Sequence, residues 1–171
     1  MGEWARGATL VVATVTTGLV AGLFYAYACS VLPGLRGAAD RTSIDVMQRI
    51  NVAIRNGWFA LSFVGSLVAT AAAATLQFGG GRSAVLLPTL GALACHVLAV
   101  VVTAGVSIPL NNALAAAGPV DRIADPAAVR RRFDVPWARW NLVRALLSIA
   151  ALGLLCWALV QYGRWDPAGA A

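Results

Sequence analysis

The chain has 171 residues, 60% hydrophobic and 12% charged, with a mean hydropathy of +0.76 and a formal net charge of +6. That balance lies outside the range of soluble domains and excludes a water-facing globule, placing the chain among integral membrane proteins. The positive charge needs no nucleic acid to explain it, because a bilayer with anionic headgroups suffices.

Four apolar stretches are each long enough to cross about 30 Å of hydrocarbon as a helix, which takes roughly 20 residues. They run from Ala8 to Leu32, Trp58 to Phe78, Ala84 to Ile108 and Trp140 to Tyr162, and they use most of the chain as a single membrane domain over residues 1–171. The first stretch, with Arg6 ahead of it and "AYAC" at 26–29, mimics a signal peptide with a small-x-small cleavage site. It is about twice the length of a signal core of roughly 7–15 residues, so it reads as a spanning helix. Gly18-x-x-x-Gly22 and Gly91-x-x-x-Cys95 place small residues one turn apart, a spacing that lets helix backbones approach in lipid. The expected fold is therefore all-α, a transmembrane four-helix bundle with short amphipathic helices in the two long loops on one membrane face.

The first long loop contains "SIDVMQRINVAIRN", residues 43–56, whose Ile44, Met47, Ile50 and Ile54 form a helical stripe. Ser43 or Thr42 is the expected cap, with Asp45 in the first turn. The "FGGGRS" at 78–83 turns the chain between the second and third spans. In the second long loop, Val120 to Val135 mixes both charge signs, contains Pro126, and predicts a short surface helix ahead of the fourth span. Pro33 and Pro109 are expected to break helices.

All thirteen basic residues are arginine. Arg36, Arg41, Arg49 and Arg55 lie in the first long loop and Arg122, Arg130, Arg131, Arg132 and Arg139 in the second, against Arg6, Arg82 and Arg164 on the other side. The positive-inside rule then puts the long loops in the cytoplasm and both termini outside, with a bacterial plasma membrane as the expected location. Cys29, Cys95 and Cys156 fall on three different spans without a C-x-x-C pair, which argues against a thiol–disulfide relay and for small packing residues.

The unusual polar residues gather at one end of the bundle. The first span ends with Tyr25, Tyr27 and Ser30; the second starts after Asn51, Arg55 and Asn56; the third leads through Thr103 and Ser107 to Asn111 and Asn112; the fourth opens "WARWNLVR". Helical spacing puts Trp137, Trp140, Asn141 and Arg144 on one stripe, Gln48, Asn51 and Arg55 on another, and Thr89, His96, Thr103 and Ser107 on a third. Arg144 lies already inside an apolar run, where an arginine costs at least about 2.5 kcal/mol on insertion scales, so an inward position in a site is expected. Arg55 is open between snorkelling to lipid phosphate and facing inward. His96, the only histidine, reads equally as a cross-helix hydrogen bond or a catalytic group. Trp58, Trp137, Trp140 and Trp165 read as interfacial belt residues.

"FYAYACSVLPGL", "MQRINVAIRN", "PLNNAL" and "WNLVR", in this order and spacing from Gly18 to about Gly153, resemble the small four-span membrane proteins of the anthrone oxygenase family. The resemblance implies oxidation of an electron-rich polycyclic phenol or anthrone to a quinone with dioxygen. One histidine, and acidic residues that all lie outside the spans, cannot build a 2-His-1-carboxylate iron centre or a bis-histidine haem. No glycine-rich dinucleotide fingerprint occurs either. No metal or other cofactor is therefore expected, and the substrate carbanion itself would reduce oxygen. In that reading Arg144, Asn111 and Asn141 donate to the developing enolate oxygen, and His96 or a tyrosine such as Tyr25 takes the proton. Phe24 and Trp140 stack on the rings, while Tyr27, Asn51, Arg55 and Asn112 complete the wall. The expected partners are the bilayer and a hydrophobic aromatic small molecule. Two alternatives stand beside it. One is a non-enzymatic module that binds a lipid or hydrophobic metabolite or scaffolds a partner. The other, a transporter, would need oligomerisation, since no span carries a carboxylate for ion coupling.

Overall fold

The computed structural model describes residues 2–78 and 82–164, so Trp165 and the three glycines of the 78–83 turn lie outside the described residues. Four helical rods are long and apolar enough to cross a membrane, and the protein is an all-α integral membrane bundle. The first rod joins α1 (Glu3–Ala26) to α2 (Leu32–Arg36) through a π-helical turn at Tyr27–Val31. After α3 (Asp40–Ala53) comes the second rod, α4 (Gly57–Gln77). The third joins α5 (Ser83–Val102) to α6 (Ile108–Ala116) through another π turn at Thr103–Ser107, and α7 (Pro126–Gly163) is the fourth.

Three of these rods overrun their predicted ends. The 38 residues of α7 extend about 57 Å at 1.5 Å per residue, against about 30 Å of hydrocarbon. The short surface helix expected over residues 120–135 is therefore not separate: a 3₁₀ turn at Val120–Arg122 precedes α7, which starts at Pro126 and continues through Pro136 into the membrane. Asp125 caps it by accepting from the Ala128 N–H at 2.9 Å. Arg144 thus lies in the middle of α7, far from the positive end of the helix dipole.

Pro33 and Pro109 do not break their helices. Each is the second residue of the α-helical segment that follows a π turn. In regular α geometry the proline ring would strike the carbonyl four residues back. The π turns shift the register instead, so that Leu32 N–H reaches Tyr27 O and Ile108 N–H reaches Thr103 O. The rods continue without stopping, and both π turns fall at the level where the polar residues gather.

The bundle core is built from small side chains: Ala13, Ala73, Ala92, Ala151 and Ala158 are buried with Leu10, Val85 and Leu155. Close approach of this kind suits helices that lipid does not drive together. Gly91 is part of it, since a Cβ there would meet Leu154 Cδ1 at 3.2 Å. The Gly18–Gly22 pair is not: a Cβ at Gly22 would meet nothing, and at Gly18 only an ordinary contact at 3.8 Å. Cys29 and Cys156 face outward rather than into packing, and Cys95 is half-buried.

The protruding ends of the rods and α3 form a cap with its own core of Ile44, Met47, Leu114, Ile123, Phe133 and Trp137. The amphipathic stripe predicted for α3 supplies Ile44 and Met47, but the helix begins earlier than expected, at Asp40, and no side chain caps it. Ser43 is buried instead. Arg130 ties the cap together: it donates to Asp134 and Asp40 at 2.8 and 2.9 Å and to the Leu35 and Ala38 carbonyls at 2.7 and 2.8 Å, satisfying the open end of α2. Gln48 does the same for α6, donating to Leu114 O and Gly118 O. Gly118, at φ +79°, ends that helix in the left-handed region that favours glycine. At the opposite face Arg82 donates to Glu3 at 2.6 Å, and this bond raises the guanidinium pKa above its ordinary value. Tyr162 donates to the Glu3 carbonyl.

Candidate functional site

A pocket of about 310 Å³ opens where the two π turns, the junction of α3 with α4, and the middle of α7 meet. That volume sits at the lower end of the range of small-molecule sites, about 300–1,000 Å³. Its inner wall is Arg144. This side chain is 5% exposed, and none of the described carboxylates lies within ion-pair distance of it. Its supports are softer. The guanidinium lies over the Phe24 ring at 4.3 Å from the centroid and near the Trp137 ring at 5.5 Å. Nη2 donates to Asn141 Oδ1 at 3.2 Å, while Nε is buried with no partner among the described residues.

Asn141 is fully buried and spends both ends of its amide on holding the site together. Its nitrogen donates to the Phe24 carbonyl at 3.0 Å, just ahead of the first π turn, and its oxygen receives Arg144. It thus links α7 to α1 and fixes the guanidinium over the Phe24 ring. Asn111 is arranged the other way round. Its oxygen accepts from Trp137 Nε1 at 2.9 Å, and its amide nitrogen donates to none of the described residues. Tyr27 packs on Trp137 with centroids 5.5 Å apart, so one aromatic wall, Tyr27–Trp137–Phe133, runs from the pocket into the cap.

Of the side chains singled out in the sequence, Arg144, Asn111, Asn141, Phe24, Tyr27, Asn51, Arg55 and Asn112 all line this one pocket. Three do not. His96 is buried in the bundle with its Nε2 3.1 Å from Thr17 Oγ1. The seven residues from His96 to Thr103 place it about 10 Å along the rod from the nearest lining residue of α5 and its π turn. Tyr25 is 55% exposed and Trp140 39% exposed, both on outward faces. Trp137, grouped with the interfacial belt in the sequence, is 6% exposed and takes the ring-wall position expected of Trp140. Phe59, from the first turn of α4, is a lining residue that the sequence did not single out; it stacks on Phe63, which packs edge-on to Phe24. Asn56 places it, capping α4 by accepting from the Phe59 N–H at 3.0 Å.

The chemical content of the wall is narrow. Two guanidinium groups, several amides and a phenol face aromatic and aliphatic side chains, and the lining contains no carboxylate and no imidazole. Among the described residues no group of three or more His, Cys, Asp or Glu side chains is placed to hold a metal ion. The arrangement can bind a flat apolar ring system and stabilise negative charge on it.

A family model described as "Anthrone oxygenase" matches residues 58–154, more than half of the chain. No curated protein and no solved structure matches the chain.

Proposed function

Because the chain belongs to the anthrone oxygenase family, we propose that it oxidises an electron-rich polycyclic phenol or anthrone to a quinone with dioxygen inside the membrane. The observation that carries this reading is Arg144, a buried cation without a carboxylate partner among the described residues, at the inner wall of a ring-lined pocket. The anthrone carbonyl is seated on the guanidinium. Loss of a proton from the ring carbon opposite yields an enolate whose oxygen bears the charge, and Arg144 stabilises it with help from the Asn111 amide nitrogen. Asn141 acts as a positioning residue, since both ends of its amide are occupied. The wall offers no carboxylate or imidazole, so the proton leaves through water at the open mouth.

The enolate then passes one electron to dioxygen. Recombination of the resulting radical with superoxide forms the new carbon–oxygen bond as a peroxide. Loss of the second ring proton and of hydroxide from that peroxide gives the quinone carbonyl, so that anthrone and one dioxygen become quinone and one water. The chain contributes a dry pocket and a preorganised donor set, each donor worth about 2.7–4 kcal/mol to a developing oxyanion. The reading needs no protein-bound cofactor. The excess of arginine in the two long loops supports placing the cap and the pocket mouth at the cytoplasmic face.

A non-catalytic reading draws on a second cleft beside α2, α3 and α7, flanked by Arg36 and Arg139, which would suit a lipid headgroup. Oxygen uptake by purified, metal-stripped protein with a panel of anthrones and hydroquinones separates the two. The oxidation reading expects quinone formation that Arg144→Ala and Asn111→Ala each reduce at least tenfold; unchanged rates in both variants would refute it.

A further inference from the structure

The pocket has a second pole that the oxidation does not use. Asn51, in the last turn of α3, carries an amide nitrogen that is buried and meets no acceptor among the described residues. A buried donor left unmade is costly, so on a pocket-lining residue it marks a place for a ligand acceptor. Beside it at the mouth stand Arg55 and Asn112, both exposed and neither hydrogen-bonded nor ion-paired among the described residues. The lining therefore carries two guanidinium groups, Arg144 within and Arg55 at the rim, with ring-lined and aliphatic wall between and no carboxylate to neutralise either. The enolate answers the inner charge, and only while the reaction runs. Nothing in a neutral anthrone answers the outer one.

Resting on the oxidation reading, we infer that the substrate is a tricyclic aromatic bearing a carboxylate, held by Arg55, Asn51 and Asn112 at the mouth while its reacting carbonyl lies on Arg144. Such a molecule suits the two poles of the pocket. Its rings enter apolar surroundings while its permanent charge stays at the headgroup layer, where a guanidinium can meet it as a charge-assisted pair. The rim pole fixes which end of the ring system enters first. It also gives the pocket a preference among anthrones that differ only in that group.

The test uses unreactive ring systems at the quinone level, so that it does not depend on turnover. Anthraquinone-2-carboxylate and 2-methylanthraquinone are titrated into the purified protein, with quenching of tryptophan fluorescence as the readout. The wild type binds the carboxylate about tenfold more tightly. Arg55→Gln removes the preference without weakening the methyl compound, and Asn51→Leu reduces it several-fold. Arg131→Gln, an exposed arginine of the same cap that lines neither pocket, leaves it intact. Equal affinities in the wild type, a preference that survives Arg55→Gln, or one lost equally in Arg131→Gln would each overturn the inference. A protein that shows the preference yet oxidises no anthrone would overturn the oxidation reading alone.

Discussion

Replacing Arg144 by methionine separates a functional arginine from a structural one. The side chain sits 5% exposed in a membrane rod, in a position that costs about 2.5–3.5 kcal/mol on insertion scales. Against this stand the desolvated contacts with Phe24 and Trp137, together about 2 kcal/mol or more, and the bond to Asn141, about 1.5–3 kcal/mol. These terms leave Arg144 a net stabilisation of about 0–2.5 kcal/mol, so Arg144→Met should lower unfolding stability by no more than about 2.5 kcal/mol. The rate of quinone formation should fall about 10²–10³-fold, the usual effect of removing a preorganised oxyanion donor. Unfolding monitored in mixed micelles gives the first quantity and oxygen-electrode traces with an anthrone give the second. A rate within threefold of wild type would refute the assignment. So would a stability loss beyond about 4 kcal/mol, which would make Arg144 a structural element.

The same geometry makes other variants informative. Asn141→Leu removes the bond to Phe24 O and the acceptor for Arg144, so it should cost about 1–3 kcal/mol of stability and slow oxidation about tenfold. Added to Arg144→Met it should slow the reaction no further, because the two act as one unit in a double-mutant cycle. His96→Leu breaks only the contact with Thr17, so stability should drop by about 0.6 kcal/mol and the oxidation rate should stay within twofold; a large rate loss would bring His96 into the chemistry. Gly91→Val drives a branched side chain toward Leu154 and should lower the thermal midpoint, at a cost of about 1–3 kcal/mol, with activity unchanged below it.

The spans and the gathering of polar residues were legible because both follow from hydropathy and from the period of a helix. Arg144 stood out by its place inside an apolar run, and the structure puts it at the inner wall of the pocket. The prolines misled for a physical reason. A proline removes one backbone donor, and a chain reads as broken there. Inside a bundle, one extra residue in a π turn re-pairs the backbone, so that Pro33 and Pro109 sit within continuous rods. Pro136 stays within α7 with no π turn beside it. Trp137 and Trp140 share a helical stripe only loosely, and three residues of rotation separate a buried ring wall from an outward face. Periodicity without neighbouring helices cannot resolve that. Nor can it show pairs such as Glu3 with Arg82 or Tyr162, which the fold brings together from 79 and 159 residues apart.

The central claim is that this pocket stabilises the substrate as an anion. Mixing the protein with an anthrone at neutral pH under strictly anaerobic conditions stops the reaction before oxygen enters, and the enolate has its own visible absorption. The wild type should develop that absorption in proportion to occupied sites, and Arg144→Met should not. A bound anthrone that remains neutral in the wild type, or one that ionises equally in the variant, would contradict the account.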